Sequence, residues 1–204
     1  MEWLPSLFAA YPLDLKAGLD RVIQSGVQQV HLDCMDGHFV PNITFGPSVV
    51  KAVKEYAPQL FRDVHLMLAH PEDFIETYIE SGAQRIFIHV EIDPVSLKNS
   101  IKILQESKIE WGFAINPETP VTCLEAYSNW IQRTNHLLVM SVYPGFSGQT
   151  FIPQTYERIQ FIKKSFPVLE LCVDGGVTPA IANNLAKLGV ASCVRGSSFF
   201  KNTY

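Results

Sequence analysis

The stretch QVHLDCMDG, residues 29–37, begins as a β-strand and ends in charged side chains followed by a glycine. Successive side chains of a strand point to opposite faces, so His31, Asp33 and Met35 share one face of it. In α/β barrels, functional residues gather at the carboxyl ends of the strands, which is where this strand becomes polar. The stretch therefore predicts a strand, Gln29–Asp33, that delivers functional groups to one edge of a parallel sheet.

A strand followed by a helix recurs on both sides of this stretch. The predicted strands are Trp3–Leu7, Gln29–Asp33, Phe61–Leu68, Arg85–His89, Trp111–Ile115, His136–Ser141, Leu169–Asp174 and Ala191–Arg195. The predicted helices are Leu13–Ser25, Pro47–Tyr56, Pro71–Ser81, Pro94–Ser107, Pro120–Trp130, Pro153–Ser165 and Pro179–Leu188. This alternation predicts parallel βαβ units, and polar groups spread over many strand ends favour a closed (β/α)8 TIM barrel over an open sheet.

No composition shift or flexible linker divides the chain, so residues 1–204 are predicted to form one barrel domain. After the last predicted strand only Ser197–Tyr204 remain, and the barrel is expected to lack most of its last helix. The outward faces of the first and eighth strands would then be poorly covered, which favours a homo-oligomer. The alternatives are that the sequence is truncated, or that Phe199, Phe200 and Tyr204 fold across the gap.

The composition narrows the class of protein. Hydrophobic residues make up 47% and charged residues 18% of the chain, which supports a large buried core and argues against disorder. The net charge is −4 and there is no cluster of Lys and Arg, so no nucleic-acid partner is expected. The apolar runs are strand-sized, so no membrane span is expected. Four widely spaced cysteines indicate reduced thiols in a cytoplasmic protein.

Two further strand ends carry residues that match those of the second strand. His65 and Met67 share a face of the third predicted strand, and Asp174 ends the seventh. Taken singly, an inward histidine is more often a hydrogen-bonded core residue and a strand-end aspartate a helix cap. Together, two imidazoles and two carboxylates would be costly to bury without a cation, so they predict one divalent ion, such as zinc, iron, manganese or cobalt. The predicted ligands are His31, Asp33, His65 and Asp174.

Glycines mark the loops after the last three predicted strands. These loops contain Gly145, Phe146, Ser147, Gly148, Gly175, Gly176, Gly196 and Ser197. Barrels often bind phosphate with the loops after their last strands and with a short extra helix, which Ser197–Phe200 could supply. Each glycine pair by itself could be an ordinary turn, but three on neighbouring strands predict a phosphate pocket.

Taken together, these residues resemble the ribulose-phosphate 3-epimerase family over nearly the whole chain, from Pro5-Ser6 to Gly196-Ser197. The resemblance is carried by HLDCMDGHFVPN (residues 31–42), DVHLM (63–67), NPETP (116–120), PGFSGQ (144–149) and VDGG (173–176). It implies a TIM barrel of the ribulose-phosphate-binding type. It also implies an isomerase that epimerises carbon 3 of a small-molecule ketose phosphate, with D-ribulose 5-phosphate to D-xylulose 5-phosphate as the favoured reaction.

The resemblance also implies the roles of individual residues. The metal ligands would be His31, Asp33, His65 and Asp174, with zinc favoured. Asp33 and Asp174 would also be the acid/base pair, which transfers protons through an enediolate that the metal stabilises. One of the two carboxyl groups must then be protonated while the other is ionised. The implied substrate contacts are Ser6, Met35, His65, Met67, Met140, Gly145, Phe146, Ser147, Gly148, Gly175, Gly176, Gly196 and Ser197.

Several positions depart from the family pattern, namely Ala9-Ala10-Tyr11, Tyr143, Ser147 and Arg195. They leave the predicted ligands in place but bear on the substrate, so an epimerase of another ketose phosphate, such as D-allulose 6-phosphate, is an alternative. Arg195 could bind phosphate directly or be a surface arginine. A non-catalytic phosphate-binding barrel is a further alternative, because a fold alone does not guarantee activity. A sugar-phosphate decarboxylase would need Asp-x-Lys-x-x-Asp, and residues 33–36 contain no lysine.

Overall fold

Eight parallel strands form one sheet that closes almost completely on itself. The computed structural model describes residues 1–200. The strands are β1 (Glu2–Pro5), β2 (Gln29–Met35), β3 (Phe61–Met67), β4 (Arg85–His89), β5 (Glu110–Ile115), β6 (His136–Met140), β7 (Glu170–Asp174) and β8 (Ser192–Arg195). Their order in the sheet is β1-β8-β7-β6-β5-β4-β3-β2, and a parallel bridge between Ser6 and His31 joins β1 to β2. The predicted (β/α)8 TIM barrel is confirmed.

Helices cover the outside of the barrel. They are α1 (Leu15–Gln24), α2 (Pro47–Tyr56), α3 (Ile75–Ser81), α4 (Pro94–Glu106), α5 (Ser128–Thr134), α6 (Thr155–Ser165), α7 (Pro179–Lys187) and α8 (Ser197–Phe200). Asp14, Asp93 and Thr178 cap α1, α4 and α7 because their side chains accept hydrogen bonds from N–H groups that have no partner within the helix. Within residues 1–200, no helix is long and apolar enough to span a membrane.

Two predicted helices differ from the structure. The predicted helix Pro71–Ser81 is a 3₁₀ turn, Pro71–Asp73, followed by α3, because Phe74 leaves the helical region at φ −124°. The predicted helix Pro120–Trp130 starts as 3₁₀ turns, Val121–Tyr127, and only then becomes α5. The first two residues of that segment are β-branched, which lowers their preference for an α-helix. The other predicted elements agree with the structure to within about two residues at each end.

The strand registers bring inward side chains together at the carboxyl ends of the strands. Asp33 of β2 pairs with His65 of β3, and Met140 of β6 pairs with Asp174 of β7. A buried apolar layer inside the barrel adjoins these positions and supports them. That layer consists of Leu4, Phe87, Ala114, Leu138, Met140, Cys172 and Val194. A second and larger apolar core lies between the strands and the helices.

Helix α8 is the short helical turn that was predicted after the last strand. Phe200 is only 2% exposed, and the ring of Phe199 lies against the guanidinium groups of Arg21 and Arg195. These two rings therefore cover part of the region between the last strand and α1. This agrees with the predicted alternative in which the end of the chain folds across the gap. Tyr204, which belongs to the same alternative, lies outside the described residues.

Candidate active site

A cavity of about 220 Å³ opens at the carboxyl ends of the strands. Every predicted site residue except His31 and His65 contributes to its wall. These residues are Ser6, Asp33, Met35, Met67, Met140, Gly145, Phe146, Ser147, Gly148, Asp174, Gly175, Gly176, Gly196 and Ser197. The fold therefore brings the predicted acid/base pair and the predicted phosphate loops to one cavity, while the two histidines are fully buried beside it.

Two histidines and two aspartates converge where β2, β3 and β7 approach one another. One atom of each of His31, Asp33, His65 and Asp174 lies within 4.8 Å of the others. Asp33 Oδ1 is 3.3 Å from His31 Nε2 and 3.1 Å from His65 Nδ1. Asp174 Oδ2 is 3.9 Å from each of these nitrogens. The hydroxyl of Ser6 donates a hydrogen bond to Asp33 Oδ2 over 2.6 Å, which fixes the other side of that carboxylate.

Asp63 and Arg85 set the orientation of His31. One oxygen of Asp63 lies 2.6 Å from His31 Nδ1, and the other accepts a hydrogen bond of 2.6 Å from Arg85 Nε. Burial opposes ionisation of Asp63, but Arg85 and His31 outweigh it and lower the pKa of this carboxyl. The carboxylate can only accept, so His31 Nδ1 donates. His31 Nε2 then faces Asp33 and Asp174, and it is buried without a hydrogen-bond partner.

On its other side, His65 contacts His89, which in turn contacts Glu91. The Nε2 atom of His65 lies 2.8 Å from Nε2 of His89, and Nδ1 of His89 lies 2.9 Å from Oε2 of Glu91. Both imidazoles are completely buried. Burial is the main cause that lowers the pKa of His89 to about 4, so its ring is neutral at physiological pH. The Nδ1 atom of His65 is the nitrogen that faces the two carboxyl groups.

The pKa values of the two carboxyl groups shift in opposite directions. Burial and the negative charge of Asp33 raise the pKa of Asp174 to about 7. Burial also opposes ionisation of Asp33, but His31 and His65 outweigh it and hold the pKa of Asp33 well below its usual range. Burial likewise disfavours a charged His31, yet Asp33 and Asp63 raise the pKa of His31 well above its usual value. Near neutral pH, Asp33 is therefore ionised while Asp174 can hold a proton.

This set of donor atoms fits a divalent metal ion. Two imidazole nitrogens, one of them without a partner, face two carboxyl groups, and nitrogen and oxygen ligands of this kind suit zinc, iron, manganese and cobalt. A cation among them would bind the unpartnered nitrogen and offset the negative charge of Asp33. Burial disfavours a charged His31, but the negative charges of Asp33 and Asp63 raise its pKa, and the same charges would favour a bound cation. The predicted ligand set is thus assembled in space.

The backbone after β7 approaches the cavity closely at Gly175 and Gly176. Their φ angles are +118° and +63°. A Cβ atom on Gly176 would lie 2.4 Å from the backbone nitrogen of Phe151, and one on Gly175 would lie 2.3 Å from the side chain of Val142. Both the positive φ and the lack of space require glycine at these positions. Backbone that comes this close to a cavity can offer N–H groups to an anion.

The positions that depart from the family pattern differ in their relation to the cavity. Ala9 and Tyr143 line it. Arg195 does not line it, since its guanidinium lies 5.5 Å from the ring centroid of Trp3 and 5.8 Å from that of Phe199. Stacking on these rings holds the guanidinium, so the structure favours the surface arginine over the direct phosphate contact.

Four residues that contact the two histidines directly or through one neighbour were given no role in the sequence prediction. They are Asp63, Arg85, His89 and Glu91. The alternation of side chains along β3 and β4 places the first three on the inward face, together with His65. A charged residue at an inward strand position must find a partner, and this signal could have identified them. Glu91 follows the end of β4, where the alternation no longer applies.

Comparisons with known proteins agree with the geometry of the site. The family model for the ribulose-phosphate 3 epimerase family matches residues 3–200. The ribulose-phosphate 3-epimerase of Chlamydia trachomatis serovar D is 38% identical over 203 residues, which cover 97% of this chain and 85% of that protein. That of Eremothecium gossypii is 36% identical over 208 residues, which cover 96% of this chain and 84% of the relative.

Solved structures with similar folds are more distant in sequence. Phosphoribosyl anthranilate isomerase from Thermotoga maritima has a TM-score of 0.66 and 17% identity, with 100% of this chain and 90% of that chain covered. A 3-hexulose-6-phosphate synthase also has a TM-score of 0.66 and 17% identity, with 100% and 93% covered. Identities this low show the fold alone. The family match over nearly the whole length and the two curated relatives show more: the chain belongs to the ribulose-phosphate 3-epimerase family.

Proposed function

We propose that this chain converts D-ribulose 5-phosphate to D-xylulose 5-phosphate by inverting carbon 3. The observation that carries the proposal is the pair Asp33 and Asp174, two carboxyl groups in one cavity whose pKa values shift in opposite directions. Inversion by proton transfer needs one base and one acid, and this pair supplies both near neutral pH. The names of the relatives supply the substrate class.

The proton transfers follow from the ionisation of the two groups. Asp33, as the carboxylate, removes the proton from carbon 3, and the electron pair of the broken C–H bond forms an enediolate with the carbonyl at carbon 2. Asp174, as the carboxylic acid, gives its proton to the opposite face of carbon 3. The reverse reaction exchanges the two roles. After each turnover a proton must pass from Asp33 back to Asp174, and exchange with water at this stage brings solvent hydrogen into the product.

The remaining side chains hold this pair in place. A divalent ion, with zinc favoured over iron, manganese and cobalt, would be held by His31, Asp33, His65 and Asp174. When bound, it supplies positive charge that stabilises the oxyanion at carbon 2. Ser6 orients Asp33 through its hydrogen bond. The buried side chains of Met35, Met67 and Met140 keep water from the reacting carbons without offering protons.

Turnover in deuterated water tests this mechanism. We expect the product to carry solvent deuterium at carbon 3. A product that retains its original hydrogen there would contradict transfer between two carboxyl groups. Parallel assays with D-allulose 6-phosphate test the substrate, since a higher kcat/KM on that sugar would reassign it. A metal-loaded protein that turns over neither sugar would support the non-catalytic barrel instead.

His65→Ala is expected to weaken zinc binding at least about 100-fold, because the site loses a ligand and Asp33 loses a neighbour. Competition with a chromophoric chelator measures the affinity, and elemental analysis of protein purified without chelator gives the metal content. His70→Ala is the matched control, since the side chain of His70 is 66% exposed and does not belong to the cluster. Full zinc occupancy in His65→Ala would contradict the assigned site.

Zinc binding is expected to release protons and to strengthen as the pH rises. The pKa of His31 is raised well above its usual value, so its Nε2 holds a proton at pH 6 and must lose that proton to become a ligand. We therefore expect release of about one proton per zinc at pH 6. Calorimetry in buffers with different ionisation enthalpies counts these protons. A pH-independent affinity between pH 6 and 8 would be inconsistent with the raised pKa of His31.

Gly176→Ala is expected to raise the KM for the sugar phosphate more than about tenfold, because the methyl group must displace the backbone at Phe151 and with it the proposed phosphate loop. Zinc affinity should change little, as Gly176 is not a ligand. Steady-state kinetics measure the effect. Gly26→Ala is the matched control: Gly26 has a similar φ of +77°, but its Cβ would meet nothing within 4 Å. An unchanged KM in Gly176→Ala would remove this loop from the phosphate site.

The proposal also includes the oligomeric state and the location in the cell. A homo-oligomer is supported by exposed apolar side chains such as Leu13, which is 86% exposed, although Phe200 fills part of the region that motivated it. Light scattering at micromolar concentration tests the assembly, and a monomer would refute it. A cytoplasmic location is supported by four free thiols and by a relative named as the cytoplasmic isoform in Oryza sativa subsp. japonica.

A further inference from the structure

The side chain of Arg195 points away from the cavity, although the residues on either side of it line the cavity. Val194, Gly196 and Ser197 all contribute to the cavity wall, whereas Arg195 does not. Side chains alternate along a strand, so Arg195 at the end of β8 lies on the outward face because Val194 belongs to the inner layer. Arg195 therefore cannot act on a bound ligand by direct contact.

Two aromatic rings lie against the guanidinium of Arg195. Its central carbon is 5.5 Å from the ring centroid of Trp3 on β1 and 5.8 Å from that of Phe199 on α8. A guanidinium is planar and weakly hydrated, so it can pack on aromatic rings while the N–H groups along its edge donate hydrogen bonds. Arg195 thus connects the first strand of the barrel to its last helical turn.

The edge of the same guanidinium donates two hydrogen bonds to one residue of α8. Nε of Arg195 donates to the side-chain oxygen of Ser198 over 3.2 Å, and Nη2 donates to the backbone carbonyl of Ser198 over 3.3 Å. Ser198 lines the cavity, as Gly196 and Ser197 do. A rigid group that donates twice to one residue restricts both the position and the orientation of that residue. Arg195 therefore holds the turn of residues 196–198 from its outer side.

We propose that Arg195 is a positioning residue that holds residues 196–198 in place for the phosphate group of the substrate. This role rests on the proposed function, which supplies the phosphate group as the ligand. A turn that is already ordered binds its ligand more tightly, because the cost of ordering does not arise on binding. Ordering weakens binding roughly 2- to 12-fold for each side chain involved, so we expect loss of Arg195 to weaken phosphate binding about tenfold.

Nitrogen-15 relaxation of the ligand-free protein, with a chelator present, tests the positioning. We expect an order parameter of about 0.85 for the backbone N–H of Ser198 in the wild type and below about 0.6 in Arg195→Leu. Leucine can still pack on the ring of Trp3, so the fold is expected to be preserved. Cys193 on β8 is the internal reference and should stay rigid in both proteins. Equal order of Ser198 in the two proteins, or a loss of order that extends to Cys193, would overturn the proposal.

Binding of inorganic phosphate to the same metal-free proteins, followed by NMR shifts, supplies the second readout. Arg195→Leu should bind about tenfold more weakly than the wild type. Arg195→Lys should be nearly as weak, because lysine keeps the charge but lacks the planar fork. Arg133→Leu is the matched control, since it removes the same charge from an exposed position on α5 that does not line the cavity. Wild-type affinity in Arg195→Leu would overturn the proposal, and so would full recovery in Arg195→Lys, because charge alone would then explain the effect.

Steady-state kinetics with D-ribulose 5-phosphate separate this role from the proposed function. Arg195→Leu should raise KM about tenfold and leave kcat within about twofold, because Arg195 contacts neither the cavity nor the acid/base pair. An active wild type whose KM is unchanged in Arg195→Leu would overturn the positioning role and leave the epimerase in place. A wild type that turns over no ketose phosphate, but whose phosphate affinity depends on Arg195, would contradict the proposed function and support the positioning role.

Discussion

Asp174→Asn is expected to lower kcat for epimerisation by at least about 10³-fold, because general acid–base catalysis contributes about 10² to 10⁴ and an amide can neither give nor take the proton. Asp174 has the pKa of about 7 that keeps a proton available near neutral pH. Asp33 remains ionised in the variant, so the proton on its face of carbon 3 can still be removed and replaced. Exchange with solvent deuterium without inversion is therefore the expected residual activity.

Metal content must be measured with the same preparation, because Asp174 is also a proposed ligand. The matched variant is Ser6→Ala, which removes the hydrogen bond to Asp33 but leaves both carboxyl groups in place. We expect it to be far less impaired than Asp174→Asn. If metal-loaded Asp174→Asn still inverted carbon 3 at a rate near that of the wild type, Asp174 could not be the acid.

The fold was predictable because its signals are local. Strands and helices alternate with clear changes of period, and several helices begin at prolines such as Pro47, Pro94 and Pro179, whose lack of an N–H is harmless there. The failures were also local. The segment Val121–Tyr127 forms 3₁₀ turns although its sequence resembles a helix start, because its first two residues are β-branched and lower the preference for an α-helix.

For the candidate site, the sequence predicts which residues take part, but not their pKa values or the contacts behind them. Strand-end residues such as Asp33 and Asp174 follow from alternation together with the resemblance, and the structure brings them together. The raised pKa of Asp174 could not be predicted, because it depends on burial and on the distance to Asp33. The contact between His65 and His89 could not be predicted either, because it is a 2.8 Å approach of two side chains on neighbouring strands and follows from no spacing in the sequence.

Asp63→Asn is expected to destabilise the protein by about 3–5 kcal/mol, because it leaves the buried guanidinium of Arg85 with only the half-exposed Glu110, 3.5 Å away, as a charged partner. Asp63 is completely buried, and its two oxygens accept hydrogen bonds of 2.6 Å from Arg85 and from His31. The amide of an asparagine keeps one oxygen as an acceptor, but its NH₂ group then faces either Arg85 or His31, which are both donors. Denaturant unfolding in the presence of a chelator measures the loss without any contribution from bound metal.

A double variant and a pH series separate this cause from general disturbance. Removing both charges, in Asp63→Asn with Arg85→Gln, should be less destabilising than Asp63→Asn alone, because no unpaired charge then stays buried. The folded-state pKa of Asp63 is lowered from 3.8, so its contribution to stability is present above that pH and is lost as the pH falls through the folded-state value. The difference between wild type and Asp63→Asn should therefore shrink below about pH 4. Two results would contradict the ion pair with Arg85 as the contribution of Asp63. One is a double variant whose loss of unfolding free energy equals the sum of the two single losses. The other is a difference in unfolding free energy between wild type and Asp63→Asn that is the same at pH 7 and pH 3.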